Sequence, residues 1–411
     1  MKKIIIIGAG PAGLMAAITA SDKYKGNAQI TIIEKNERAG RKLMITGKGR
    51  CNVTNNCDVD TLIANTPKNA RFLYSAFSKF TPLDVMNFFE DNGIPLKTER
   101  GNRVFPVSDK AVDIVDALVN ATRKRGIKQL NNTVREITVT DNKVTGVVLN
   151  DGSVISADSV ILATGGMSYP VTGSTGDGYK IAKNLGHTVT EIKPSLVPLM
   201  CHEGFCSKLS GLSLKNVTLT VFEEGKKKPV FSELGEMLFT HFGISGPLVL
   251  SSSAYMRKMG SKNYTAVIDL KPALTIEQLD KRILRDFTEQ TNKDFSNSLD
   301  KLLPKSLIPV IISLSGIEAN RKVNQISREE RMSLGQLLKN FTLNITGFRP
   351  IEEAIITSGG ISVKEINPAT MESKLIAGLF FAGEIIDTDA FTGGFNLQIA
   401  FSTGYLAGEN I

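Results

Sequence analysis

The sequence predicts an α/β fold with a mostly parallel sheet, and three patterns support this prediction. Residues 4–7 are four isoleucines that run directly into a glycine-rich turn, and residues 14–20 then show helical character. A second β-branched run at 29–33 ends on an acidic residue. A third apolar run, at 159–163, ends in another glycine turn. Strands separated by a helix in this order favour parallel pairing through a crossover connection.

The first glycine turn has the spacing of a dinucleotide-binding fingerprint. Gly8 permits the tight turn, Gly10 lets the backbone approach a pyrophosphate, and Gly13 allows close packing of helix on strand. Pro11 and Ala12 lie between these glycines, at the start of the helix, whose N-terminal N–H groups favour an anion.

Glu34 follows the second strand, 21 residues after Gly13. A carboxylate at this place accepts hydrogen bonds from the ribose hydroxyls of a bound dinucleotide. The alternative is a glycine turn in an unrelated α/β protein with an acid there by chance. The strand, turn, helix and second strand together favour the cofactor site.

Composition describes a globular protein of more than one domain. The chain has 411 residues, of which 42% are apolar and 22% are charged. No apolar run approaches the ~18 residues of a membrane span, so we expect no membrane association. Four cysteines without a Cys-x-x-Cys pair and only three histidines predict no metal site. We interpret the four cysteines as reduced thiols, which favours a cytoplasmic location.

The net charge of +8 is unevenly distributed. Residues 1–50 carry +7, residues 51–190 carry +1, residues 191–350 carry +6 and residues 351–411 carry −6. This distribution is compatible with a polyanionic partner. A solvated surface with cations that serve cofactor phosphates is the alternative, and charge alone favours it.

Residues 35–55 are basic, glycine-rich and polar, without a hydrophobic period. Burial of the six cations between positions 35 and 50 would cost free energy unless they face phosphates, acids or water. We interpret the segment as a loop that wraps along the cofactor, with a mobile surface loop as the alternative.

The motif Gly40-Arg-Lys-Leu followed by Thr46-Gly-x-Gly-Arg-Cys-Asn-x-Thr-Asn55 resembles the signature of a bacterial FAD flavoprotein family. The family is labelled YhiN-like, BaiN-like or aminoacetone-oxidase-like. Its members usually have a glycine where this chain has Lys48. Further segments resemble the family at Arg100–Pro106, Tyr169–Gly178 and Met237–Pro247.

The resemblance implies a non-covalent FAD site of the two-dinucleotide-binding type, with an inserted substrate domain. The predicted domains are residues 1–190 and 347–411, which form the two parts of the FAD-binding domain, and residues 191–346, a β-rich and helical insert that acts as substrate domain or lid. The predicted FAD contacts are Gly8, Gly10, Pro11, Ala12, Gly13, Glu34, Lys35, Gly40, Arg41, Lys42, Leu43, Thr46, Gly49, Arg50, Cys51, Asn52, Val134, Thr164, Gly165, Gly166, Gly383, Glu384, Gly394, Asn396 and Leu397.

Three classes of function follow from this assignment. The first is a reductase that acts on a polarised C=C bond, since the resemblance implies steroid-like enones and a uridine of ribosomal RNA as substrates. The second is an amine oxidase that produces hydrogen peroxide, and the third is a non-enzymatic binding protein stabilised by FAD. No second G-x-G-x-x-G is present, so NAD(P)H would either bind transiently over the flavin or not take part.

The candidate proton donors are Cys51, Tyr169 and His241. Each has a structural alternative: a packed thiol in the loop, a wall beside the flavin, and a hydrogen-bonded histidine between domains. The substrate and the oligomeric state stay open at this point.

The fingerprint assignment predicts that the purified protein is yellow and releases FAD, not FMN, on denaturation. Glu34→Arg should lower FAD retention, because it replaces the ribose acceptor with a cation near Arg38 and Arg41. The ratio of flavin absorbance to protein absorbance measures the retention. Full FAD occupancy in this variant would contradict the assignment.

Overall fold

The computed structural model describes all 411 residues, and the chain divides into two compact units. The two-part unit contains Met1–Ser195 and Pro350–Ile411, and the central unit contains Leu196–Arg349.

Residues 1–195 contain eleven strands and seven α-helices. The strands are β1 Lys2–Ile7, β2 Ala28–Glu34, β3 Thr54–Asn55, β4 Leu96–Glu99, β5 Arg103–Pro106, β6 Lys128–Asn131, β7 Val134–Thr140, β8 Lys143–Leu149, β9 Val154–Ser156, β10 Ser159–Leu162 and β11 Lys193–Ser195. The helices are α1 Pro11–Tyr24, α2 Arg41–Ile45, α3 Val59–Ala64, α4 Tyr74–Lys79, α5 Pro82–Asp91, α6 Ala111–Lys124 and α7 Asp177–Asn184.

Six strands and five helices follow in the central unit, and two strands and one helix complete the two-part unit. The central strands are β12 Leu199–Cys201, β13 Ser213–Glu223, β14 Phe231–Thr240, β15 Gly243–Ser245, β16 Tyr264–Asp269 and β17 Phe341–Phe348. The central helices are α8 Phe205–Lys208, α9 Pro247–Ser253, α10 Ile276–Thr288, α11 Ile308–Ser315 and α12 Arg328–Lys339. The remaining elements are β18 Ile356–Ser358, β19 Leu379–Phe381 and α13 Phe395–Asn410.

The main sheet of the two-part unit has five parallel strands in the order β19-β10-β1-β2-β6. The predicted α/β fold with a parallel sheet is therefore confirmed. Residues 4–7 of β1 are all buried although successive side chains point to opposite faces, so both faces of the sheet are covered. This explains why the strand is a continuous isoleucine run rather than an alternating pattern.

Smaller antiparallel sheets flank this core. They are β3-β5-β4, β7-β8-β9 and the pair β11-β18. The turn between β7 and β8 contains Asp141 and Asn142, both with positive φ, which is typical of a type I′ hairpin. The sequence of residues 133–163 predicts strands, because apolar and polar residues alternate between turns, and the structure confirms them as β7 to β10.

The central unit contains a closed barrel of six strands in the order β12-β15-β14-β13-β16-β17. Its core includes Leu219, Phe239, Ala266 and Leu343, none of which is accessible to solvent. Helices α10 and α12 begin with capping boxes, at Thr275 with Gln278 and at Ser327 with Glu330.

The interpretation of residues 35–55 as a loop is wrong in part, because Arg41–Ile45 forms α2 and Thr54–Asn55 forms β3. Gly40 precedes α2 with φ +70°, and a Cβ at Gly40 would lie 2.8 Å from the Val115 Cγ1 of α6. Leu43 is buried, whereas no other residue of α2 is. A single buried position gives no hydrophobic period in the sequence.

The sequence predicts a helix that starts at Ser108-Asp109, but α6 begins at Ala111, two residues after Asp109. Asp109 has φ +56°, and its carboxylate binds Arg50 and Lys97 instead of capping the helix. The ion pairs of Asp109 therefore take the place of the helix cap that the local sequence predicts.

No helix of the structure combines the length and the apolar character needed to cross a lipid bilayer.

All strands of the five-stranded sheet lie outside residues 196–349. We therefore expect a variant with a short Gly-Ser linker in place of Leu196–Arg349 to fold and to retain FAD. Ser195 pairs with Ile356 in β11-β18, so the new connection must span only a few residues. Circular dichroism, thermal unfolding and the flavin absorbance ratio would measure this, with the full chain as control. A product without a cooperative unfolding transition would contradict the predicted domain division.

Candidate FAD site

The first glycine turn lies where β1 ends, beside the end of β10. Gly8 has φ +104°, and a Cβ placed there would lie 2.6 Å from the carbonyl oxygen of Ala163. A larger residue would be strained and would push the ends of two neighbouring strands apart. Gly8 is therefore required by the backbone at this edge of the sheet.

Gly13 and Gly10 occupy opposite environments in the same turn. A Cβ at Gly13 would lie 2.0 Å from the carbonyl oxygen of Gly8, so α1 packs directly on the turn. A Cβ at Gly10 would meet no atom within 4 Å. Helix α1 begins at Pro11 without a side-chain cap, so its N-terminal N–H groups are available to a ligand next to this open space.

Glu34 ends β2 at the same edge of the sheet and is only 8% exposed. Its Oε2 accepts a hydrogen bond from the backbone N–H of Ala9 (2.8 Å), and its Oε1 accepts two from Asn36 (2.9 and 2.7 Å). These contacts fix a carboxylate beside the glycine turn. Carboxylate oxygens have further lone pairs, which can accept hydrogen bonds from the ribose hydroxyls.

Most of the six cationic side chains between positions 35 and 50 form ion pairs or hydrogen bonds with other residues of the protein. Five of them have partners: Lys35 with Asp177 (2.5 Å), Arg38 with Asp116 (3.5 Å), Arg41 with the Asn36 side-chain oxygen (3.0 Å), Lys42 with Glu384 (2.6 Å) and Arg50 with Glu99 (2.5 Å) and Asp109 (2.6 Å). The hydrogen bond from Arg50 lowers the pKa of the Glu99 carboxyl. Lys48, where the family usually has glycine, is exposed and has no acidic partner. Internal acids thus account for most of the charge in this segment.

The second predicted fingerprint, Thr164 to Gly166, follows β10. A Cβ at Gly166 would lie 2.3 Å from the Oγ1 of Thr357, so this turn packs against residues near the C-terminal end of the chain. The same Oγ1 accepts hydrogen bonds from the backbone N–H groups of Met167 (2.8 Å) and Ser168 (3.2 Å). Thr357 thereby holds the turn after the second fingerprint.

Two predicted contact residues carry buried polar atoms without a partner in the protein. These atoms are the Oδ1 of Asn52 and the Oγ1 of Thr164. Buried polar groups are normally hydrogen-bonded, and an unpaired one indicates a missing ligand or water. Both atoms therefore fit a site that a bound cofactor completes.

Lys42 and Glu384 form one polar cluster, although the sequence predicted them only as separate FAD contacts. The Nζ of Lys42 donates to Glu384 Oε2 (2.6 Å) and to Ser168 Oγ (2.7 Å). The Oε1 of Glu384 accepts from the backbone N–H of Thr357 (2.8 Å). Ser168 and Thr357 were missed by the sequence analysis, and Thr357-Ser-Gly-Gly was the signal that could have identified the latter.

The N-terminus of α13 is fixed against β3. Gly394 precedes the helix with φ +98°, and a Cβ there would lie 2.3 Å from the carbonyl oxygen of Thr54. The side chain of Asn396 binds the backbone N–H (2.9 Å) and carbonyl (2.7 Å) of Ala390. The N–H groups of this helix are therefore held in a defined place, where a helix N-terminus stabilises negative charge.

The remaining predicted contacts are spread over several elements of the two-part unit. Residues Ala12, Leu43, Cys51 and Val134 are buried, Gly383 begins a short 3₁₀ segment after β19, and Thr46, Gly49, Gly165 and Leu397 are partly exposed.

The three candidate proton donors lie in different surroundings. Cys51 is fully buried, and burial raises the pKa of its thiol to about 12, which matches the packed-thiol alternative. Tyr169 is half-buried with φ +52° and precedes a 3₁₀ turn in the two-part unit. His241 is exposed in the central unit, where its ring contacts Phe242 edge-on at 5.0 Å. Their catalytic roles stay a prediction.

A model of the HI0933-like protein Rossmann domain matches residues 2–410. The chain belongs to this family.

HI0933-like relatives match the chain along its whole length. The 3-dehydro-bile acid delta(4,6)-reductase of Clostridium scindens is 31% identical, over 100% of this chain and 98% of its own. The ribosomal RNA dihydrouridine synthase of Haemophilus influenzae is 32% identical, over 99% of this chain and 98% of its own. The enzyme of the same name from Escherichia coli is 29% identical, over 99% and 97%.

Among solved structures, 3-ketosteroid delta1-dehydrogenase from Sterolibacterium denitrificans shares the fold. Its TM-score is 0.54 at 13% identity, and the match covers 99% of both chains. The HI0933-like chain is an FAD-dependent oxidoreductase. The residues that would hold FAD are those of the first glycine turn, Glu34, the second fingerprint and the N-terminus of α13.

A matched pair of glycine substitutions separates folding from cofactor binding. Gly13→Ala should destabilise the protein by about 1–3 kcal/mol or more, since its Cβ would overlap backbone. Gly10→Ala has open space and a negative φ, so the fold should persist while the added methyl hinders the pyrophosphate.

The melting temperature and the flavin absorbance ratio of both variants would be measured together. We expect Gly10→Ala to melt near the wild-type apoprotein and to lose FAD. If it keeps full FAD, the site is not beside Gly10.

Proposed function

We propose that this protein reduces a C=C bond conjugated to a carbonyl group, with electrons that NAD(P)H delivers to FAD. The observation that carries the proposal is the match, over nearly the whole chain, to relatives named for two reactions of this kind. A delta(4,6)-reductase saturates a carbon–carbon double bond of a steroid skeleton, and a dihydrouridine synthase saturates one of uracil.

Both reactions add one hydride and one proton across a polarised double bond. FAD that NAD(P)H has reduced would supply the hydride, so the protein must position the substrate and provide the proton. An acid near neutral pKa suits this task. The buried Cys51 thiol, with its pKa raised to about 12, is a weak acid at neutral pH. Cys51 is also fully buried, whereas Tyr169 is half-buried and His241 is exposed, so Tyr169 and His241 are the proposed donors.

We propose that NAD(P)H is a transient donor rather than a resident cofactor. The chain has one G-x-G-x-x-G fingerprint, at residues 8–13, and no second one for a tightly held nicotinamide. A donor of this kind would reduce the flavin and dissociate before the substrate with the C=C bond binds.

Of the two substrate classes, we favour a uridine of ribosomal RNA over a free enone. The central unit contains 21 Lys and Arg against 15 Asp and Glu, a net charge of +6. A polyanion gains from such a field, and that gain falls steeply with salt. A protonated amine, the substrate of the oxidase alternative, would be repelled. The predicted cytoplasmic location, where ribosomal RNA is found, belongs to this proposal.

Deletion of the gene followed by mapping of dihydrouridine in the large-subunit ribosomal RNA tests the substrate. We expect a dihydrouridine site to disappear and to return with the wild-type gene but not with Gly10→Ala, the variant designed to lose FAD. Full restoration by Gly10→Ala, or an unchanged dihydrouridine pattern, would contradict the proposal.

Anaerobic stopped-flow spectroscopy with NADPH tests the electron donor. Bleaching of the flavin absorbance on mixing, followed by reoxidation with an enone or an RNA transcript, is the expected result. Failure of NADPH to bleach the flavin, together with hydrogen peroxide production from small amines in air, would establish the oxidase alternative instead.

A further inference from the structure

Two basic loops lie side by side at one end of the central barrel. The first, residues 223–228, begins at the last residue of β13 and leads towards β14, and the second, residues 257–263, leads into β16. Strands β13 and β16 pair with Glu223 opposite Tyr264, which places the two loops at the same end of these strands. We call them together the barrel-end basic surface.

Backbone and side-chain hydrogen bonds hold the two loops together. The backbone N–H of Glu224 donates to the carbonyl of Asn263 (2.9 Å), and the Nδ2 of Asn263 donates to Glu224 Oε2 (3.1 Å). The loops therefore present one surface rather than two independently moving tips.

Glu223 organises the lysines around it. Its side chain is buried, and it contacts Lys226 (3.0 Å), Lys258 (3.6 Å) and the Tyr264 hydroxyl (3.3 Å). The hydrogen bond from Lys226 lowers the pKa of Glu223, so this carboxylate is ionised at neutral pH. One buried acid thus fixes one lysine from each loop.

The charge of the surface exceeds what its acids can balance. The two loops contain Lys226, Lys227, Lys228, Arg257, Lys258 and Lys262 against Glu223 and Glu224, a net charge of +4. All six cations are exposed. No acidic side chain lies within ion-pair distance of Lys227, Lys228 or Lys262. Three exposed lysines without an acidic partner on one surface of net positive charge are typical of a site that binds phosphates.

We propose that the barrel-end basic surface binds the phosphate backbone of the RNA substrate. The inference rests on the RNA specificity proposed above and adds the part of the protein that contacts the RNA outside the reacting base. Phosphate contacts of this kind position an RNA without reading its sequence. A membrane surface is the other polyanion to consider, but none of the exposed large apolar side chains lies in the two loops. Interfacial binding to lipid normally uses such side chains.

The test compares two triple variants with equal net charge. Lys227, Lys228 and Lys262 are changed to Gln in the first, and the exposed Lys208, Lys281 and Lys305 of the central unit are changed to Gln in the control. The affinity of each protein for an unmodified transcript of large-subunit ribosomal RNA is measured by filter binding from about 50 to 200 mM KCl. The flavin absorbance ratio checks that each variant is folded.

We expect the first variant to bind the transcript more weakly and its plot of log affinity against log salt to be flatter by about 2–3 units, the loss of three phosphate contacts. The control should keep the wild-type slope. Equal slopes for both variants would overturn the proposal. So would vesicles containing 30% anionic lipid that bind the wild type but not the first variant, while RNA binding stays unchanged.

Dihydrouridine formation in the same transcript distinguishes this inference from the proposed function. If the wild type forms dihydrouridine and the first variant does so equally well at every salt concentration, the surface assignment is wrong and the function stands. If the wild type forms none while it reduces an enone, the RNA specificity is wrong, and the surface assignment fails with it.

Discussion

Backbone contact between α1 and its neighbours is the constraint on which the two-part unit depends. A Cβ at Gly404 or Gly408 of α13 would lie 2.3 or 2.5 Å from a carbonyl oxygen of α1, and one at Gly13 would lie 2.0 Å from the turn after β1. The first and last helices of the chain therefore meet at a distance that no side chain permits. The predicted FAD site needs both, because α1 offers its N-terminus to the phosphates and α13 begins at Gly394.

The strongest local patterns predicted the fold because each one agrees with its tertiary surroundings. The isoleucines of β1 are buried on both faces, and Thr81, Thr275 and Ser327 form the capping boxes that their neighbours indicate. There are two exceptions. The carboxylate of Asp109 binds Arg50 instead of capping α6, and α2 has Leu43 as its only buried residue. In both cases a contact from outside the segment determined the local structure.

The polar network of the candidate site could not be predicted from the sequence. Lys42 and Glu384 are 342 positions apart, and Thr357 reaches the turn at Gly166 across nearly two hundred residues. Residue type shows that each group can form hydrogen bonds, but only the folded backbone decides which partners meet. This is why Lys42 and Glu384 were assigned separately to FAD, whereas the structure pairs them with each other and with Ser168.

The uneven charge of the sequence has a different meaning once the pairs are known. Residues 1–50 carry +7 and residues 351–411 carry −6, and these segments belong to one unit with a net charge of only +2. The pair of Lys42 with Glu384 shows part of this neutralisation directly. The net charge of +6 on the central unit is not balanced by an acidic segment within that unit. Any long-range attraction for a polyanion must therefore come mainly from the central unit rather than from the basic segment beside the glycine turn.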